Sequence, residues 1–299
     1  MTQDYQNAIR EYYGYSHDDV HLMERAIKVE SLFSLIRENN IEGFQSAIDN
    51  DPQAIYATNN LRQTALHIAC QCDRKEILDF ILTKLPQDLK AEDRFINKRD
   101  YEGFTPLMIC AKENKIECAK LLMTHQPDLK VVGYDLRRNV AHLAAQKDAP
   151  EILDLVLSAK TADGKPILNA NEPCHEKNGK RYTPVHFAAA NFALNSMIVL
   201  SKFNPDINKK AIHKTPLMVA LENGCQAVAS YLLEQPEIDL TLRDGSGHLA
   251  YHYARHFRAP KAMKAQIKMM TEAQFQEKYP KIVSSKGIKA ILSNEHVKS

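Results

Sequence analysis

One short pattern returns along the 299-residue chain at nearly constant spacing, and it restricts the fold more than any other feature. "FTPLMICAKEN" from Phe104, "YTPVHFAAANF" from Tyr182 and "KTPLMVALENG" from Lys214 align directly. "QTALHIACQCD" from Gln63 and "NVAHLAAQKD" from Asn139 join them with small departures. Anchored on the Thr or its equivalent, the copies begin at Thr64, Thr105, Asn139, Thr183, Thr215 and Leu249, with a degenerate first copy at Ser31. The steps are 33, 41, 34, 44, 32 and 34 residues, a period near 33 carrying two insertions.

Thr is a good N-cap, and Pro at the first helical position loses no bond, because the N–H it lacks has no partner there in any residue. The small residues that follow, such as Ala188 and Ala189, let a second helix approach closely. That helix carries apolar pairs at helical spacing, Ile77/Leu78 with Ile81/Leu82 and then Leu121/Leu122. Polar, turn-rich stretches such as "KRDYEGF" connect the copies. Each unit therefore reads as a loop or β-hairpin finger followed by two antiparallel helices. No unit can bury its apolar face alone, so neighbours must stack.

With its Thr-Pro-Leu-His-x-Ala core and period of 33, the pattern resembles the ankyrin repeat across residues 30–258. The resemblance implies an all-α repeat solenoid of stacked helix-turn-helix units with β-hairpin or loop fingers. The expected organisation is a helical cap over 1–30, about seven copies over 31–258, and a helical cap and tail over 259–299. Insertions fall near 84–97 and 158–182, the larger containing two turn signals, Asp163-Gly164 and Asn178-Gly179, that suggest an extended finger. The finger glycine two before the anchor survives at Gly103 and Gly247 but is Arg62, Arg137, Arg181 and His213 elsewhere, so irregular or opened fingers are expected.

Candidate chemistry is sparse. His248, His252 and His256 recur every four residues, a spacing that could suit zinc, but His252 occupies the repeat's histidine position beside His67, His142 and His186. The resemblance gives that position a structural hydrogen bond. Cys174-His175 lacks a positioned base and a third group for thiol catalysis, and lacks further ligands for zinc. No catalytic, metal or cofactor site is expected, and the chain does not read as an enzyme.

Family resemblance places partner binding on a concave face built from finger tips and the exposed side of each first helix. Carried onto this chain, that gives Tyr101, Glu102, Phe104, Leu136, Arg137, Arg138, Lys180, Arg181, Tyr182, Ile212 and Lys214. The aromatic and apolar members would anchor a partner, and the cations would steer an acidic one. A net charge of only +2 makes this basic series local. The reading is a protein–protein scaffold or adaptor, monomeric, for a partner with an acidic patch and with no small-molecule substrate. The alternative is a polyanion, nucleic acid or phosphoinositide, along the same stripe. The N-terminal tyrosines (Tyr5, Tyr12, Tyr13, Tyr15) read as part of a cap or as a second binding element. No secretory signal or membrane span is recognisable, and six cysteines without paired motifs fit a cytoplasmic setting. Irregular repeats and a Lys- and Asn-rich character also resemble ankyrin effectors that intracellular bacteria deliver into host cells.

Overall fold

A computed structural model describes residues 17–86, 94–174 and 181–293, with the side chains of 17–25, 285, 286 and 289 outside the description. The chain divides into two compact units, Met1–Val131 and Val132–Ser299. In the first, α1 (His17–Arg37), α3 (Ala65–Gln71) and α5 (Pro106–Glu113) pack in series. Beside them stack α2 (Ile41–Asn50), α4 (Lys75–Lys84) and α6 (Ile116–Thr124). Phe33, Ile36, Phe44, Leu66, Leu78 and Met108 fill the space between the rows.

The second unit repeats the plan. Its inner row is α7 (Val140–Gln146), α9 (Pro184–Ala190), α11 (Pro216–Glu222) and α13 (Ala250–His256). Its outer row is α8 (Pro150–Leu157), α10 (Leu194–Ser201) and α12 (Gln226–Leu233). The chain continues through α14 (Lys261–Lys278), α15 (Pro280–Lys286) and α16 (Ile288–Leu292). Most repeat helices have only 7–10 residues, too short to persist alone, so stacking supplies their stability.

The local code works largely as the residues imply. Thr105 and Thr215 accept hydrogen bonds from the N–H groups of Met108 and Met218, and Asn139 does the same for His142. The turn between paired helices carries a signal the repeat pattern did not show. Nine residues after each anchor the backbone turns left-handed, at Asp73, Asn114, Asp148, Phe192, Gly224 and Arg258. The following N–H then reaches back to a helix carbonyl, as from Arg74 to Ala69 and from Cys225 to Ala220. Asn39 is the equivalent residue in the first copy and puts that copy's anchor at Glu30. Both Glu30 and Ser31 lie inside the unbroken helix α1.

Of the two finger forms expected, loop and β-hairpin, the described residues take the loop. Among the described residues the fingers are turns, with isolated bridges at Thr58–Thr64, Lys160–Pro166 and Ala211–Lys214. Nor do the absent glycines open them all. Arg62, Arg137 and His213 take left-handed φ values of 57°, 48° and 65° where Gly103 and Gly247 sit at 83° and 84°. In the larger insertion the Asp163-Gly164 turn forms, with Gly164 donating to the Thr161 carbonyl. Residues 160–166 are exposed, whereas Leu168, Ala170 and Cys174 pack inward.

Candidate partner-binding surface

The repeat histidines fix the fingers. In α3, the backbone N–H of Thr64 donates to His67 Nδ1 at 3.1 Å, and His67 Nε2 donates to the Phe104 carbonyl of the next finger at 2.9 Å. His142 links Asn139 to the Glu172 carbonyl, and His186 links Thr183 to the Lys214 carbonyl. An accepting Nδ1 requires the proton on Nε2, so each ring works as the neutral tautomer. Burial pushes His67 and His252 down from the ordinary histidine value, and takes His186 down to about 4.

A second ladder runs through asparagine amides. Asn97 accepts from the Asp128 N–H, Asn171 from Asp206, and Asn208 from Asp239. At the end of the second unit the C-terminal helices take over both ladders. Gln274 Oε1 accepts from the Leu240 N–H while its amide donates to the Ile238 carbonyl. His252 Nε2 donates to the Leu292 carbonyl at 2.9 Å, where earlier copies find a finger. Phe275, Ile291 and Leu292 cluster on Leu249.

On the first unit's last finger, the Asp100 carboxylate accepts from the Phe104 N–H and the Tyr101 N–H donates to the Leu61 carbonyl. Tyr101 is thereby held at the tip, 70% exposed. Glu102 pairs with Lys112 at 3.1 Å, and that ammonium also lies 5.3 Å from the Phe104 ring centre. Phe104 itself is 5% exposed. The ring is buried beside Lys112, seven residues after the anchor, so it contributes packing and not surface.

The second unit sorts its candidates in the same way. Lys214 Nζ sits 2.7 Å from both Glu222 carboxylate oxygens and 5.6 Å from the Tyr253 ring centre. Arg138 bonds Gln146, and Lys209 donates to the Asn171 carbonyl. Tyr182 is half-buried, stacked on His186 with ring centres 5.3 Å apart. Leu136 is also half-buried. What remains outward is Arg137, Arg181, Lys210 and Ile212, with Tyr134 joining them at 48% exposure. Tyr134 lies five residues before its anchor, outside the positions the repeat rule selects. Lys180, Lys177, Gly179 and His175 lie outside the described residues, as do the four N-terminal tyrosines.

The tip at 211–214 is strained. Lys214 N–H donates to the Ala211 carbonyl around Ile212 and His213, and both central residues have positive φ. That turn type favours Asn-Gly, and a β-branched residue in it is an outlier. The His213 ring lies against Gly245 of the next finger, where an added Cβ would come within 3.0 Å of it.

Cys70, Cys110 and Cys118 are buried, and burial pushes the Cys70 and Cys118 thiols well up. Among the described residues no group of three or more His, Cys, Asp or Glu could hold a metal ion. No helix there is long and apolar enough to cross a membrane.

A family profile described as ankyrin repeats in three copies matches residues 28–135, 87–167 and 141–244. The chain belongs to the ankyrin-repeat family. It is similar to human transient receptor potential cation channel subfamily A member 1, at 26% identity over 245 residues, covering 72% of this chain and 21% of that protein. Alpha-latrotoxin-Lt1a of Latrodectus tredecimguttatus is 33% identical over 124 residues, 40% of this chain and 8% of the toxin. Canis lupus familiaris inversin is 27% identical over 175 residues, 56% and 14% of the two chains. The ankyrin-repeat chain thus spans about a fifth or less of the length of these relatives. In fold it matches the ankyrin repeat domain of human ASB11, with a TM-score of 0.63 at 16% identity over 80% of this chain and 96% of that one. The Bcl-3 ankyrin domain gives 0.61 at 17% identity over 79% and 97%.

Proposed function

We propose that this ankyrin-repeat chain is a protein-interaction module whose second unit grips an acidic surface of a partner through its finger tips. Ankyrin repeats as a family mediate protein–protein contacts, and that supports the general reading. The observation carrying the finer one is the state of the cations. Arg137, Arg181 and Lys210 are exposed and, among the described residues, none has a carboxylate within 4.0 Å, while Lys214 and Lys112 are already paired. Beside them Tyr134 and Ile212 offer apolar contact, and the strained Ile212–His213 tip is a conformation that costs about 1–3 kcal/mol and is often kept for binding. Affinity would come from Tyr134 and Ile212, and steering from the charges. The reading as a delivered bacterial effector has no support in the animal relatives above and forms no part of the proposal.

The test is a pull-down from eukaryotic lysate with wild type and an Arg137→Glu/Arg181→Glu/Lys210→Glu variant of matching circular dichroism, at two salt concentrations. A discrete protein retained at moderate salt by wild type alone supports the reading. Nucleic acid or lipid lost steeply with salt favours the polyanion alternative. Identical partners on both chains overturn the finger assignment.

A further inference from the structure

A cleft lies at the last repeat, apart in sequence from the fingers of the proposal above. About 540 Å³ in volume, it is lined by Glu222 at the end of α11, by His248 of the last finger, by Tyr253, Arg255 and His256 of α13 and by Phe257 just beyond that helix. His252 also lines it, its Nε2 already spent on the Leu292 carbonyl. A volume of this size lies within the range of small-ligand and side-chain pockets, roughly 300–1,000 Å³.

Charge decides what it fits. The one carboxylate lining the cleft, Glu222, and the Asp244 carboxylate bonded to its lining residues His248 and Tyr253 are already engaged. Glu222 holds Lys214 at 2.7 Å. Asp244 accepts from the Ser246 and His248 N–H groups and from the Tyr253 hydroxyl, and its Oδ2 lies 3.3 Å from His248 Nδ1. Two donors lining the cleft are not spent in the same way. Arg255 is exposed, held 5.8 Å from the Tyr251 ring centre, and among the described residues has no carboxylate partner. His256 is exposed beside it, edge-on to Phe257 at 4.8 Å. Phe257, 39% exposed, stacks on Tyr253 and gives the cleft an apolar wall. A planar guanidinium with a free fork suits a carboxylate held by two parallel bonds.

We infer that this cleft is an anchoring pocket for an acidic peptide segment of the partner, a Glu or Asp carboxylate meeting Arg255 and His256 while an adjacent apolar side chain lies on Phe257. This rests on the reading of the chain as a binder of acidic protein surfaces, and it adds a pocket separate in sequence from the Arg137, Arg181 and Lys210 fingers. Arg255 and His256 also stand in the last turn of α13, where the helix dipole favours cations. That role alone would leave them insensitive to peptide.

The experiment is an NMR titration of the full chain, observing the arginine Nε–H and histidine ring signals. The probes are the hexapeptide Glu-Phe-Glu-Asp-Phe-Glu, its counterpart with lysine at the acidic positions, and inorganic phosphate. Saturable shifts of the Arg255 and His256 signals with the acidic peptide alone, weakened about tenfold by Arg255→Ala at unchanged circular dichroism, are expected. Shifts confined to Arg137 and Arg181 overturn the pocket and leave the finger reading standing. No shift at either set removes both. Equal shifts with phosphate reduce the cleft to a general anion site and overturn the peptide assignment.

Discussion

Replacing His186 by Gln should remove that residue's share of the acid sensitivity of the second unit, leaving the share of His252 in both proteins. In the native fold His186 is buried and neutral, Nδ1 accepting from Thr183 and Nε2 donating to the Lys214 carbonyl. Its value of about 4 lies below the ordinary 6.5 because burial penalises the charged ring. The unfolded chain therefore binds the proton first as pH falls. The contribution is complete above pH 6.5, shrinks between 6.5 and about 4, and is lost below that. At about 1.36 kcal/mol per pH unit the full effect is about 3 kcal/mol, of which about 2.5 kcal/mol is gone by pH 4.5. Against a typical domain stability of about 5–15 kcal/mol that is a large fraction. Gln can return its side-chain oxygen to the Thr183 N–H, as in a capping box, without titrating. Urea unfolding of wild type and H186Q at pH 7.5, 6.5, 5.5 and 4.5 reads the difference directly. Asp239 and Asp244, held below the ordinary carboxylate value, lose their share only below about pH 4 and stay out of this window. A difference between the two proteins that is constant from pH 7.5 to 4.5 would refute the neutral-ring argument.

Other consequences follow from the same contacts. Phe104→Ala should cost about 3–5 kcal/mol by urea unfolding, as for a buried aromatic; a loss below 1 kcal/mol would return that ring to the surface. Lys214→Glu should destabilise by setting a second carboxylate against Glu222, whereas Arg137→Glu and Lys210→Glu should stay within about 0.5 kcal/mol of wild type in the same assay. Ile212→Asn should stabilise by about 1 kcal/mol, because Asn tolerates the left-handed conformation; a fall in thermal midpoint would mean the Ile side chain packs. Gln274→Ala should cost about 1–2 kcal/mol by leaving the Leu240 N–H and Ile238 carbonyl unpaired, and hydrogen exchange at Leu240 should accelerate.

Sequence alone determined the repeat unit, because its causes are local. A Thr or Asn cap, Pro at the first helical position and a histidine three residues later act within one turn, and their recurrence every 33 residues or so can only be satisfied by stacking. Left-handed residues nine after each anchor were also legible in principle, since five of the seven positions are Asp, Asn or Gly. Phe192 and Arg258 break that composition, and only the backbone of their neighbours shows that they do the same work.

Tertiary structure decided which candidate side chains are available. Phe104 and Tyr101 both sit within five residues of Thr105, yet one ring is buried and the other stands in solvent. Lys214 and Arg137 look alike in the chain, but a residue one before the anchor faces the residue seven after it, so Lys214 meets Glu222 and Arg138 meets Gln146. That pairing depends on how a finger folds back over its own helix, which no local propensity states. The C-terminal segment is the clearest case. Nothing in its composition resembles a repeat, yet Gln274 and the Leu292 carbonyl stand where the next copy's amide ladder and finger would be. The last inner helix has to satisfy His252 and cover Leu249, and any backbone that brings a carbonyl and apolar side chains to that place can do so.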